Sequence, residues 1–219
     1  MTNNENAIVE MQHVNKHYRH TTIFDDLNLT IEPHEITTIF GKSGAGKSTI
    51  LNMIGLLEPF NTGTLKLFGN TAPKIRSKAA LKLRRTKISY LFQNFGLIDD
   101  SSVGQNLDLG LAYVKAPAAK KKALKTQALK DVKLDCHLNT KIYTLSGGEQ
   151  QRVAVARLLL KPAELILADE PTGALDPDNR AILGQLLLKL RESGKTIVVV
   201  SHDRYFETIS DHIIDLSTI

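Results

Sequence analysis

The chain has 219 residues, enough for one large α/β domain or two small ones, and its 42% hydrophobic and 23% charged content supports a packed core under an ordinary polar surface. No apolar run approaches the roughly 20 residues a membrane-spanning helix needs, and Met1–Asn6 carries neither the basic nor the apolar stretch of a signal peptide, so none is expected. Net charge is +5, yet the chain has no Trp and only 5% aromatics, too few rings to stack on bases, so no specific nucleic acid is expected as a partner.

In chain order, residues 8–14 alternate loosely as a strand, and Leu27, Leu29 and Ile31 alternate more cleanly with polar residues between them. Glu35–Phe40 reads as a short apolar strand, followed at once by a Gly-rich turn and the helical run Ser48–Leu57. That turn, Gly41-Lys42-Ser43-Gly44-Ala45-Gly46-Lys47-Ser48, satisfies G-x-x-x-x-G-K-[ST] between a strand and a helix, the context that gives the motif its meaning. Glycines let the backbone wrap a polyphosphate so that successive N–H groups point inward, and the following helix adds its positive end. Lys47 is placed to neutralise β- and γ-phosphate oxygens, and the Ser48 hydroxyl to ligate Mg²⁺. The candidate nucleotide contacts are therefore Gly41, Lys42, Ser43, Gly44, Ala45, Gly46, Lys47, Ser48 and Thr49.

Gly63–Gly69 holds another alternating strand and Ile88–Phe92 a buried one. From about Asn94 to Lys161 helical patterns dominate, with no convincing strand. Positive charge gathers at Lys74–Lys87 and at Lys115–Lys133; the second stretch reads as an amphipathic helix, either a solvated face or one that lies near phosphates or anionic lipid. Strand signals return at Leu165–Ala168, Thr196–Val200 and His212–Leu216, with a helix over Pro177–Glu192 that Asp176 caps and Pro177 opens. The pattern predicts an α/β fold, a parallel sheet interrupted by a helical insertion. Cys136 is the single cysteine, which precludes an internal disulfide and suits a reducing compartment.

The strand at Leu165–Ala168 ends in Asp169 and Glu170. Asp169 is placed to support Mg²⁺, and Glu170 to polarise an attacking water as general base. Leu145-Ser146-Gly147-Gly148-Glu149-Gln150-Gln151-Arg152 opens an apolar-rich helix with Ser146 as its cap. Exposed N–H groups beside a serine hydroxyl form a second anion site. Two phosphate-binding loops on separate helices suggest a head-to-tail dimer, in which one subunit's serine loop closes over its partner's nucleotide.

With these motifs the chain resembles the nucleotide-binding subunit of an ABC transporter over nearly its whole length. The resemblance implies a P-loop NTPase (RecA-like) parallel sheet core with an N-terminal antiparallel β subdomain (residues 1–93 and 162–219) and an inserted α-helical subdomain (residues 94–161). It further implies that Ser146, Gly147, Gly148 and Glu149 touch the γ-phosphate across a dimer interface, and that Gln93 contacts Mg²⁺ and water and faces the membrane partner. His202 would contact the γ-phosphate, Ala174-Leu175-Asp176 would communicate between sites, and Tyr18 would stack on adenine. The catalytic set is then Glu170, His202 and Gln93, and the metal set Ser48, Gln93 and Asp169. The similarity is strongest to short ATPases serving exporters of macrolides, lipoproteins or bacteriocins, carried by Phe92–Ile98, Leu145–Arg157 and Ala168–Asp176. Gln105-Asn106 stands where the family often has Glu-Asn, and the chain stops soon after its last strand, so no regulatory C-terminal domain is expected.

Read so, the chain is an ATPase with ATP and Mg²⁺ as cofactors, a homodimer around two nucleotides, held on the cytoplasmic face of the membrane by a polytopic permease. An exported bacteriocin-like peptide or other amphiphile is expected from the subclass, with lipoprotein release or cell division as a neighbouring reading. A soluble ABC ATPase acting on ribosomes or DNA is a rival, although two cassettes or a long coiled-coil insertion would then be expected. A P-loop kinase would leave Leu145–Gln151 and His202 without a role.

Overall fold

The computed structural model describes residues 7–19, 21–92, 95–173 and 175–218. The first part of the chain forms β1 (Val9–Tyr18), β2 (Thr21–Ile31), β3 (Ile36–Phe40), α1 (Lys47–Ile54), β4 (Thr62–Leu67), β5 (Asn70–Thr71), α2 (Lys78–Thr86) and β6 (Ile88–Leu91). A helical stretch follows: α3 (Val103–Gly110), α4 (Ala118–Asp131) and, after a short 3-10 turn, α5 (Gly147–Leu160). The chain then returns to alternation with β7 (Leu165–Asp169), α6 (Pro177–Glu192), β8 (Thr196–Ser201) and β9 (His212–Asp215).

Two sheets result. One is antiparallel, in the order β2-β1-β4-β5; the other has the order β6-β7-β8-β3-β9, with every neighbouring pair parallel. The central strand β8 is buried at all six positions, as expected of a parallel strand covered on both faces. Its side chains still divide by the strand period of two. Ile197 and Val199 join Ile166 and Ala168 of β7 in a core shared with α3 to α6. Val198 and Val200 join Leu165 and Leu167 in a second core, under α1 and the antiparallel sheet. The parallel sheet is thus the wall between two cores.

This order places the carboxyl ends of β7, β8 and β3 side by side, where open parallel sheets bind ligands. The Gly-rich loop leaves β3, Asp169 ends β7, and Ser201 ends β8 next to His202.

The structure differs from sequence expectation in three places. The first strand runs on to Tyr18 through irregular pairing at residues 11–17, where His13 has φ 52° and interrupts the simple alternation. Helix α2 lies inside the basic stretch 74–87, which the sequence reading marks only as a concentration of charge, because its four basic residues outweigh an apolar side on which Ala80 alone is fully buried. The helix expected at Lys115–Lys133 is the shorter α4, and its apolar face is narrow, Ala128 and Leu129 being its buried residues.

Candidate functional site

Gly46 sits at φ 85° as the N-cap of α1, a left-handed conformation that costs glycine nothing. A Cβ there would also collide with Ile23 and Phe24 of β2, so the antiparallel sheet presses directly on the loop. The amides of Lys47, Ser48 and Thr49, in the first helical turn, have no intrahelical acceptor and are ready for an anion. Lys47 is only 7% exposed; its ammonium donates to the Gly41 and Lys42 carbonyls at 2.8 and 3.1 Å and lies 3.6 Å from Glu170 Oε1.

Across the loop, the Ser48 hydroxyl donates to Asp169 Oδ1 at 2.9 Å. Burial raises the Asp169 carboxyl above the ordinary carboxylate range; the Ser48 bond opposes this, the Glu170 charge adds to it, and Lys47 opposes it. Glu170 follows β7 at φ 43°, its N–H bonded to Val200 O at 2.9 Å, a turn that swings its side chain toward β8. Its Oε2 accepts from the Ser201 hydroxyl at 3.0 Å and the His202 backbone at 3.3 Å, and lies 3.0 Å from His202 Nδ1. The carboxylate is therefore held by three neighbours while the imidazole, 72% exposed, extends outward.

Ile23, Ser43, Gly44, Gly46, Lys47, Ser48, Thr49, Glu170 and His202 line one cleft of about 600 Å³, to which Asp169 and Ser201 are tied through Ser48 and Glu170. Sequence reasoning missed Ile23 and Ser201. The serine was within reach of it, since it lies between a buried strand and the singled-out histidine.

Tyr18, at the end of β1, does not line this cleft but stands close to Thr49 of α1, which does. Its hydroxyl donates to Glu58, and the Lys16 ammonium stands 4.2 Å from the ring centroid and 2.8 Å from Glu58. Burial, together with the carboxylate, raises the phenol, which stays neutral. For Glu58, burial pushes upward but the Lys16 and Tyr18 bonds outweigh it, and the carboxyl lies below its usual value.

The Ser146 loop stands apart. Ser146 caps α5 in a closed box: its backbone N–H and its hydroxyl both donate to Glu149 Oε2 at 2.8 Å, and its hydroxyl accepts from Glu149 N at 3.4 Å. Those bonds hold the Glu149 carboxyl below its ordinary value. Gly147 faces open space, whereas a Cβ on Gly148 would strike the Asn179 side chain. Asn179 in turn donates to Asp176 and accepts from Arg152, so the loop at the start of α5 is tied to the capped start of α6. None of Ser146, Gly147, Gly148, Glu149 and Asp176 lines the cleft of the same chain. Gln93 and Ala174 lie outside the described residues.

A second concavity, about 480 Å³, opens where β6 and α2 meet the helical stretch, beside the strand end that leads to Gln93. Leu57, Leu81, Phe92, Leu109 and Tyr113 line it and are 38–50% exposed. Lys161 donates to the Arg84 and Ile88 carbonyls at 2.7 and 2.6 Å, and burial, with the Arg157 charge, pushes its ammonium down to about 8. Arg157 grips the Gly96 and Phe95 carbonyls at 2.7 and 2.9 Å, which fixes the segment after Gln93 to α5. Gln105, at the position departing from the expected acid, closes a capping box with Ser102 on α3, while Asn106 is fully buried and bonds Ile98 and Ser102. No helix among the described residues is long and apolar enough to cross a membrane.

The family model described as "ABC transporter" matches residues 24–173. A macrolide export ATP-binding/permease protein of Psychrobacter arcticus is 35% identical over 194 residues, 89% of this chain and 29% of that protein. The protein of the same description from Campylobacter jejuni is 35% identical over 209 residues, 95% of this chain and 33% of that protein. The chain thus spans about a third or less of the length of these relatives. Among solved structures, the dimeric ABC transporter cassette MJ0796 superposes with a TM-score of 0.87 at 36% identity, covering 94% of this chain and 93% of that one. Its dimeric post-hydrolysis state, bound to ADP and Pi, gives 0.86 at the same identity and coverage.

Proposed function

This chain belongs to the ABC transporter family and is an ATPase of it, and from that premise we propose that two copies close around two ATP molecules to drive export through a separate membrane permease. The observation that carries the dimer is the separation of the two anion-binding loops. The Gly41–Ser48 loop, Glu170 and His202 share a cleft that the Ser146 loop does not reach within one chain. A second copy, turned head to tail, brings its Ser146–Glu149 loop and Asp176 to that cleft and completes it.

In this reading the first-turn amides of α1 and Lys47 hold the phosphates, and Tyr18 meets the adenine. Ser48 and Asp169 fit Mg²⁺: a hydroxyl and a carboxylate 2.9 Å apart suffice for an ion that keeps waters and phosphate oxygens as its other ligands. When bound, that ion would neutralise charge developing on the phosphates. Glu170 accepts a proton from the attacking water, a role worth roughly 10²–10⁴-fold in rate. Ser201 and the His202 backbone keep its carboxylate in place, and the His202 ring reaches the γ-phosphate. By the family resemblance, Gln93 would join the metal and water. ATP drives closure because it binds the closed dimer better than the open one, and losing the γ-phosphate removes that difference.

The exposed apolar groove where β6 and α2 meet the helical stretch supports the permease as partner. A helix of the permease seated there would feel each closure through the Arg157 grip on Phe95 and Gly96. That partner would hold the chain at the cytoplasmic face of the membrane, and the substrate would be a peptide of bacteriocin type or another amphiphile. The domain division at 94–161 belongs to the same reading, with the helical part moving against the sheet core. Cross-linking from Leu81→Cys in native membranes tests it. The expected product contains a polytopic membrane protein, whose identity gives the substrate class; adducts with ribosomal or DNA-bound proteins alone would overturn the exporter.

A further inference from the structure

Every charged residue between Glu58 and Asp99 is a lysine or arginine, and so is every one between Asp108 and Asp131. The fold brings the two stretches together. Lys78, Lys82 and Arg85 fall at i, i+4 and i+7 on α2, all exposed, and Arg85 ends the stripe 5.1 Å from the ring centroid of Tyr113. Lys121, at the start of α4, donates back to the Leu111 carbonyl, which sets the exposed Lys115, Lys120 and Lys122 beside that same tyrosine segment.

Local physics argues against these lysines as stabilising features. Lys78 opens α2, and Lys120, Lys121 and Lys122 fill the opening turns of α4; neither first turn holds an acid. A helix start carries positive partial charge, so cations there are unfavourable. Lys121 and Lys125 do find internal acceptors. The ammonium groups of Lys78, Lys82, Lys115, Lys120 and Lys122 make no hydrogen bond or ion pair among the described residues. Charges that repel one another, with Lys78 and Lys120–Lys122 also opposing their helix dipoles, next to exposed Leu81 and Tyr113, are explained by a partner of opposite charge outside the chain.

We propose that this face, formed by α2 and the start of α4, lies against the anionic headgroups of a lipid bilayer. Flexible ammonium groups around a few apolar side chains suit a fluid layer of negative headgroups. An acidic protein segment would call instead for fixed, bidentate arginine contacts. Its five lysines lie outside the groove proposed for the permease, although the face shares Leu81, Arg85 and Tyr113 with that groove's lining.

Sedimentation with vesicles tests it, comparing phosphatidylcholine alone with phosphatidylcholine plus phosphatidylglycerol. The full chain is expected to bind the anionic vesicles selectively, and salt should release it. Removing Lys78, Lys82, Lys115, Lys120 and Lys122 together as glutamines should lower that binding by at least about tenfold, each lysine being worth about fivefold at most. Basal ATP hydrolysis stays unchanged in the same protein, which shows that it folds. The milder Lys78→Gln/Lys82→Gln pair should give an intermediate loss, and Lys189→Gln on α6 none. Equal binding to both vesicle types, or full binding by the five-lysine variant, overturns the proposal. So does capture of a polyglutamate peptide by a chain that ignores anionic vesicles.

Discussion

Asp169 is a carboxyl raised by burial at the end of a strand whose other side chains are apolar. A folded-state pKa above the unfolded one means that the folded chain holds the proton more tightly. Stability is then lost as pH rises through the raised value, and the ionised carboxylate costs stability at neutral pH. Asp169→Asn keeps an acceptor for Ser48 and removes the charge. The variant should melt about 2 °C higher than the parent near neutral pH, by calorimetry, with the gap closing as pH falls. Its apparent affinity for Mg²⁺ in the ATPase assay should drop on the order of 10- to 100-fold. Tyr18 offers a separate test on the other flank of α1. If its ring carries the base, Tyr18→Ala should raise the KM for ATP about tenfold with little change in kcat, as expected for one lost stacking contact. The residues legible in the sequence are those whose neighbours in the chain announce them, such as Lys47 in its loop and Glu170 after its apolar strand. Glu58 and Ser201 reach Tyr18 and Glu170 from other parts of the chain, which only the fold brings together, while Lys16 joins Glu58 from Tyr18's own strand.

Among the elements, α1, α5 and α6 each begin at a feature read from the sequence: Gly46, Ser146 and Asp176. Capping chemistry is local, so sequence finds it readily, and α6 with its proline start was legible to the residue. Helix α2 was not, because a short helix against one sheet edge needs few apolar side chains. Two caps also give distinguishable predictions. Asp176→Ala removes the acceptor for Asn179 and should lower the melting temperature by roughly 2–4 °C. Ser146→Arg loses a cap of similar worth, yet its larger effect should lie between chains. Nucleotide binding by the single chain should persist in a filter assay while ATP-driven dimerisation disappears. Loss of binding by the single chain would mean that the loop acts in cis.

For the whole molecule, the strand order decides the chemistry. Because β7, β8 and β3 are neighbours, residues distant in sequence meet at one end of the sheet, and the two cores on either side hold that edge rigid. The parallel sheet and the helical insertion were legible from periodicity, since buried strands and long helices differ in length and pattern. The strand order was not, because nothing in an apolar run says which run it pairs with. In the proposed mechanism hydrolysis takes place at Glu170 and the dimer is the working unit. Sizing of Glu170→Gln with Mg²⁺ and ATP, alongside its hydrolysis rate, tests both at once. A mass near twice that of one chain with hydrolysis reduced at least about 100-fold is expected; hydrolysis at the parent rate, or a single-chain mass with ATP bound, would contradict it.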